Sequence, residues 1–284
     1  MSFRFKSLCF GQIGQNCKYF ENSFNPTNTV KISAQDSNGL ALEALSKLNR
    51  DDEGWTANTI LSSGYDIQDQ IKINASYTSE KQAYINVASS QNWRKDIVLS
   101  LLARTKPITI IPSAAYQNQA FSLVATADAM SNHLTVTGGS SISSLGFGAL
   151  LRMNYKNMGV THAIAKLEYK ISEDFVLHSA VKEFGKNIDF SLWTKLSPSI
   201  SISLQASIKV PTKKTQFQGV LSSSINKKTK FSAGFHSSGL VGLSISRQVY
   251  DHVELSFTGL FDVFQATDLT AHKFGVGLNI NTLY

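Results

Sequence analysis

Residues 200–210 read ISISLQASIKV, and this stretch decides the fold. Ile200, Ile202, Leu204, Ala206, Ile208 and Val210 alternate with Ser201, Ser203, Gln205, Ser207 and Lys209. A period of two held over eleven residues is the mark of a β-strand with one apolar and one polar face. The pattern recurs upstream and downstream. Leu145, Phe147, Ala149, Leu151, Met153 and Tyr155 alternate with Gly146, Gly148, Arg152, Asn154 and Lys156, and Ala163, Ala165, Leu167, Tyr169 and Ile171 with His162, Lys166, Glu168 and Lys170. Near the end, Val253, Leu255, Phe257 and Phe261 alternate with Glu254, Ser256 and Asp262, and Phe274, Val276, Leu278 and Ile280 with Lys273 and Asn279. Each run is close to the ~9 to 11 residues of a tilted membrane strand. Short turn signals separate them, among them Asn157-Met158-Gly159, Ser172-Glu173-Asp174, Ser197-Pro198, Asn226-Lys227-Lys228 and Ser237-Ser238-Gly239. Such connections suit hairpins between sequential antiparallel neighbours.

The N-terminal half is less regular. Segments 28–35, 39–48, 55–61, 70–78, 82–88 and 96–103 each read as a strand. The weakest are 105–111, 120–128 and 132–137, with Pro107 and Pro112 expected at strand ends because proline cannot donate to a ladder. The sum is about nineteen strands. An odd count requires the first strand, 28–35, to close in parallel against the last, 271–281, since an open edge in lipid would leave backbone groups unsatisfied. The expected fold is therefore all-β: a transmembrane β-barrel over residues 28–284, preceded by a partly helical segment over residues 1–27. Within that segment Ile13, Cys17, Phe20 and Phe24 fall on one side of a helix drawn over residues 6–22. Gly11 and Gly14 each cost such a helix about 1 kcal/mol relative to Ala, so it needs a surface to lie on.

Bulk properties agree with a barrel without announcing one. Of the 284 residues, 42% are hydrophobic, and mean hydropathy is −0.08, as expected when faces toward lipid and water average out. No stretch approaches the ~18 consecutive apolar residues of a spanning helix; the longest, such as 97–103, are strand-sized. Only 17% of residues are charged and five are proline, which favours extended chain with polar turns. The formal charge of +7 and pI near 9.3 point to anionic partners. Cys9 and Cys17 match no disulfide framework or metal spacing. The patch Leu8-Cys9-Phe10 after Arg4 and Lys6 is too short for a signal-peptide core, which argues against a cleaved secretory signal and a bacterial outer-membrane origin.

Residues 231–280 resemble the last four strands of the mitochondrial porin, or voltage-dependent anion channel, family in order and spacing. The resemblance is sharpest in the terminal run His272-Lys273-Phe274-Gly275-Val276-Gly277-Leu278. Lys273, Gly275, Leu278 and Ile280 also fit the family's barrel sorting signal: polar, any, Gly, any, any, hydrophobic, any, hydrophobic. The similarity extends more weakly through Leu145 to Asn38-Gly39-Leu40. Nineteen strands is the known number for that family. There are departures. The family's Gly-Leu-Lys triplet aligns with Trp93-Arg94-Lys95, leaving Lys95 as the candidate nucleotide contact. The lipid-facing glutamate of animal members has no counterpart, since 70–78 holds no carboxylate.

Lipid against the apolar faces puts the opposite parity in the lumen, including Arg152, Lys156, Lys166, Lys170, Lys182, Lys195, Lys209 and Lys273, against Glu168, Asp189, Glu254 and Asp262. Such an excess lowers the barrier for anions, although any single lysine could equally serve to hydrate the interior or pair locally. The resemblance implies a mitochondrial outer-membrane channel passing ATP, ADP, phosphate and chloride by passive diffusion. Its alternatives are a non-conducting barrel that is a structural subunit of a larger membrane assembly, and the protein-conducting pore of the outer-membrane translocase, whose lumen would be acidic. The expected partners are membrane lipid, small anionic metabolites and other membrane subunits. Nucleic acid is not expected, because the basic residues are interleaved with lipid-like faces and not with aromatic platforms. His133, His162, His178, His236, His252 and His272 show no paired metal spacing and read as solvated or turn residues. Gly146-Phe147-Gly148 lacks the third glycine of a dinucleotide fingerprint, Asn74-Ala75-Ser76 is a formal glycosylation triplet inside a strand, and no nucleophile, base and orienter stand together. No catalytic residue, metal ligand or cofactor is expected.

Overall fold

The computed structural model describes residues 5–7, 10–13, 15, 23–24, 26–36, 40–51, 54–67, 71–89 and 96–283. A short strand, Phe5–Ser7 (β1), precedes the barrel. The first barrel strands are Asn28–Gln35 (β2), Ala41–Asp51 (β3), Gly54–Ile67 (β4), Ile71–Thr78 (β5), Ala83–Ser89 (β6), Ile97–Thr105 (β7), Ile108–Gln117 (β8), Phe121–Asp128 (β9) and His133–Ile142 (β10). There follow Leu145–Asn154 (β11), Gly159–Ser172 (β12), Phe175–Lys182 (β13), Asn187–Ser197 (β14), Ile200–Lys209 (β15), Lys214–Asn226 (β16), Thr229–His236 (β17), Leu240–Tyr250 (β18), Val253–Asp262 (β19) and Lys273–Leu283 (β20). Strands β2 to β20 form a closed barrel of 19. No helix among the described residues is long and apolar enough to cross a membrane.

Sequential neighbours pair antiparallel, as in Ile200↔Ser223 through Lys209↔Lys214 between β15 and β16. The closing pair runs parallel, from Thr29↔Gly277 to Gln35↔Leu283. Two side chains reinforce this seam: Asn28 Oδ1 accepts from the Val276 amide at 3.0 Å, and the Ser33 hydroxyl donates to Asn281 Oδ1 at 2.5 Å. Strand β9 lies beside β10, with Ser122 Oγ donating to the Gly139 carbonyl. Beyond the start of β9, the edge of β10 pairs instead with β1, Phe5↔Ile142 through Ser7↔Ser140.

Each strand presents one parity outward. Leu145, Phe147, Leu167, Tyr169, Leu177, Phe190, Leu204, Phe217, Phe235, Leu243, Phe257 and Val276 are all exposed, which in water would be costly and against lipid is stabilising. Phe190, Phe217, Phe235, Phe261 and Phe274 lie outward toward one mouth, the one ringed by the hairpins after β11, β13, β15, β17 and β19. Such a band is what an aromatic girdle at a membrane interface requires. Phe261 and Phe274 meet edge to face at 5.4 Å.

Three boundaries differ from the sequence reading. The segment 105–111 is not one strand: Lys106-Pro107 turns the chain between β7 and β8. Pro112 sits inside β8 opposite Leu101, not at its end. The β8–β9 ladder begins only at Ser113, so Pro112 lies outside that ladder. The helix drawn over 6–22 does not reach its first turns. Ser7 ends a strand and residues Phe10–Gln12 form a single 3-10 turn, where Gly11 weakens any helix. Cys17 and Phe20 lie outside the described residues.

Candidate functional site

The lumen wall is where the polar parity converges. Cross-strand register carries one row from Gly146 through Glu168, His178, Ser191, Gln205 and Gln218 to His236, across β11–β17. A neighbouring row runs Gly148, Lys166, Ala180, Asp189, Ser207 and Gln216. Arg152, Lys166, Lys170, Lys182, Lys195, Lys209 and Lys273 all have the inward parity expected of them, as do Glu168, Asp189, Glu254 and Asp262. Lys156 lies in the turn after β11. Lys95 lies outside the described residues.

Part of this wall is occupied by the chain's own beginning. Ile13 and Phe24 are each 2% exposed. A Cβ added at Gly148 would come 2.6 Å from Ile13 Cδ1 and 3.2 Å from the Phe10 ring. At Gly234 and Gly242 it would come within 2.5 and 2.3 Å of the Phe24 ring. These inward glycines make hollows that accept the two apolar side chains, and Val220, Leu240 and Leu260 close around Phe24. Lys166 holds the first foothold: its Nζ donates to the carbonyls of Phe10 and Ile13 at 3.4 and 3.3 Å and lies 4.4 Å from the centre of the Phe10 ring. One of the expected pore lysines is therefore engaged with the N-terminal segment. Between the two footholds Val176, His178, Ala180, Asp189, Ser191, Ser203 and Gln205 form a buried stripe of wall.

His178 departs from the sequence reading, being buried on the wall and not solvated. Glu168, His178 and Ser191 follow one another across three strands, an order that suggests acid, base and nucleophile. Among the described residues neither ring nitrogen of His178 nor the Ser191 hydroxyl has a hydrogen-bond partner, so these three side chains are not joined in a hydrogen-bonded relay. Among the described residues no cluster of His, Cys, Asp or Glu could hold a metal ion.

The wall formed by β2–β8 carries charges that the weaker periodicity of the N-terminal half hid. Lys31 pairs with Glu43 at 2.8 Å and Lys72 with Asp66 at 3.4 Å, and Arg104 faces the lumen opposite Thr109. On the other wall Lys182 pairs with Asp189 at 2.6 Å and Lys170 with Glu168 at 3.5 Å. Arg152, Lys195, Lys209, Lys214, Lys230 and Lys273 make no ion pair among the described residues. Alternation in β2, with Thr29, Lys31 and Ser33 against Val30, Ile32 and Ala34, was the signal available for Lys31. The glycine hollows under Phe24 had none, because their partner is some two hundred residues away in sequence.

Comparison with curated proteins gives no match. The family model for eukaryotic porins matches residues 10–275, a span that takes in the footholds on the lumen wall, every hairpin of the barrel and the start of the closing strand. A 19-stranded barrel, a parallel seam and a lipid-like outer face are what that family predicts, and the chain is a member of the eukaryotic porin family, an outer-membrane channel of the porin type.

Proposed function

We propose that this porin is a channel of the outer mitochondrial membrane through which small anionic metabolites, ATP, ADP, phosphate and chloride, diffuse passively. The observation that carries the reading is the state of the lumen charges. Glu43, Asp66, Glu168 and Asp189 are each matched by a lysine, whereas among the described residues the inward cations Lys47, Arg104, Arg152, Lys195, Lys209, Lys214, Lys230 and Lys273 make no ion pair and outnumber the remaining inward acids Asp128, Glu254 and Asp262. A surplus of fixed positive charge along a wide aqueous path raises the local concentration of anions and lowers their barrier to passage. Described residues of the N-terminal segment narrow that path: Ile13 and Phe24 seat in the wall, and Pro26 and Thr27 pass over Gly275 as the chain enters β2. Membrane lipid covers the outer face, and Lys273, Gly275, Leu278 and Ile280 act as the sorting signal in β20.

The test is conductance of the detergent-refolded protein in planar bilayers under a KCl gradient. Stable steps with a reversal potential on the chloride side are expected. A cation-preferring pore would overturn the anion reading in favour of a protein-conducting channel. Absence of conductance from folded barrels would favour a structural subunit, the reading to which the buried stripe on the lumen wall lends weight.

A further inference from the structure

One cation of the barrel faces lipid. Residues directly opposite in a ladder share a face, and Arg247 in β18 stands opposite Thr229 in β17 and Leu255 in β19. Leu255 faces Leu278 across β19–β20, and Leu278 faces Val30 across the seam. This row is outward, beside the row of Ile245 and Phe257, which are 41% and 52% exposed. The neighbouring row of Lys230, Ser246, Ser256 and Gly277 is the inward one. Among the charged side chains described in the strands, every other one has the inward parity. An arginine on the lipid face is costly at mid-membrane and costs little near the interface, so its depth decides its use. Arg247 lies three residues before Tyr250, the last of β18. At about 3.3 Å per residue and a tilt of about 45°, its Cα is about 7 Å below the strand end. A guanidinium snorkels over that distance.

The exposed Arg247 side chain makes no ion pair and no hydrogen bond among the described residues. Asp251, in the adjoining turn, is taken by Lys228 at 3.4 Å. Lys227, in the turn between β16 and β17, adds a second cation at this mouth. Tyr250, 70% exposed, ends the strand with an amphipathic ring suited to headgroup level. A forked donor at this depth, flanked by apolar side chains that acyl chains cover, is complementary to a phosphate oxygen pair. Anions in the lumen are on the other face of the wall, and a zwitterionic headgroup brings its own cation to its phosphate. The chemistry that fits is therefore an anionic phospholipid.

We propose that Arg247 holds the phosphate of an anionic phospholipid on the outer wall, at the mouth opposite the aromatic band. The bound lipid fixes the depth of β17–β19 in that leaflet. The site needs a barrel that spans a membrane and is independent of what the pore conducts. Full-length barrel is refolded in detergent, checked by heat-shifted gel migration, and incubated with phosphatidylglycerol and phosphatidylcholine in equal parts. The lipid that stays bound is read by native mass spectrometry. Wild type retains phosphatidylglycerol over phosphatidylcholine by about fivefold, the weight of one basic residue at an anionic surface. Arg247→Leu, which sets an apolar side chain against lipid, brings the ratio to parity, as does Arg247→Gln; Arg247→Lys keeps part of it, having lost the fork. Arg247→Leu with Ser246→Arg conserves net charge but moves it to the lumen face, and it too falls to parity. A preference that survives in this shifted variant overturns the site, leaving only net charge. Equal retention of the two lipids by wild type overturns it as well. So does a wild-type ratio in Arg247→Leu and Arg247→Gln, which would place the lipid elsewhere on the rim.

Discussion

Replacing Phe24 by Ala attacks the larger foothold of the N-terminal segment without touching a barrel ladder. The ring is 2% exposed and lies over Gly234 and Gly242, with Val220, Leu240 and Leu260 around it. A buried phenylalanine covers about 150–250 Å², and at about 25 cal/mol per Å² its burial contributes roughly 4–6 kcal/mol as an upper bound. Truncation to Ala removes roughly 3 kcal/mol of this, the lower end of measured Phe→Ala losses. That loss falls on docking of the segment and not on barrel closure, because the wall beneath Phe24 keeps its ladders. A change of about 3 kcal/mol lowers the docked-to-released ratio on the order of a hundredfold. Hydrogen exchange read by mass spectrometry on peptides covering residues 10–24 should accelerate by up to that factor, while peptides from Ile200–Lys209 stay protected. Uniform acceleration across the barrel would show that Phe24 supports the fold itself. No acceleration at all would refute the glycine hollows as the docking site.

Three further outcomes are expected. Lys166→Met removes two long charge-assisted bonds to the Phe10 and Ile13 carbonyls and a cation–π contact; exchange near residues 10–13 should rise roughly five- to thirtyfold, from about 1–2 kcal/mol, and an unchanged rate would deny the latch. Leu204→Arg puts a charge on the lipid face and should cost roughly 2–4 kcal/mol in urea titrations of vesicle-inserted barrel, against less than about 1 kcal/mol for inward Ser201→Arg; equal costs would mean that the parity is misassigned. Gly275→Ala places a Cβ 2.6 Å from the Pro26 carbonyl carbon and 2.7 Å from the Thr27 amide nitrogen, so exchange of the Thr29–Gln35 amides should rise in the refolded barrel, and an intact seam would show that the crossing chain can shift.

Legibility in the sequence tracked how strongly each strand contrasts its two faces. β15 was plain because serine and glutamine alternate with isoleucine and leucine. β10 was read short, to Thr137, since its outer face continues through Gly138 and Ser140, which mark no apolar side. The stretch 105–111 resembled a strand by composition, yet Pro107 breaks the phase and Ile108 restarts it. The parallel seam followed from an odd count alone and appears in register from Thr29 to Gln35. Inward parity was legible wherever alternation was, so Lys209 and Lys273 were read as inward and Arg104 was not. What no local pattern could show is the seat of Phe24 on Gly234 and Gly242, because the residues that form it are some two hundred positions apart and meet only in the folded barrel.

The odd count also explains why the beginning of the chain is inside. In an up-and-down barrel closed by a parallel pair, β2 starts at the mouth where β20 starts, the mouth of the loop between Asp262 and Lys273. β1 is hydrogen-bonded to Ser140–Ile142, beside the hairpin into Leu145, which belongs to the opposite mouth. Between these two ends Phe10, Ile13 and Phe24 touch inward-facing residues of the wall. A segment fixed at one end by covalent continuity over Gly275 and at the other by a strand ladder does not swing free when a middle foothold is lost. The Phe24→Ala pore should thus exchange faster and carry noisier current while remaining narrowed, because the constriction is set by the topology of the ring and only its stiffness by the side chains that seat in the wall.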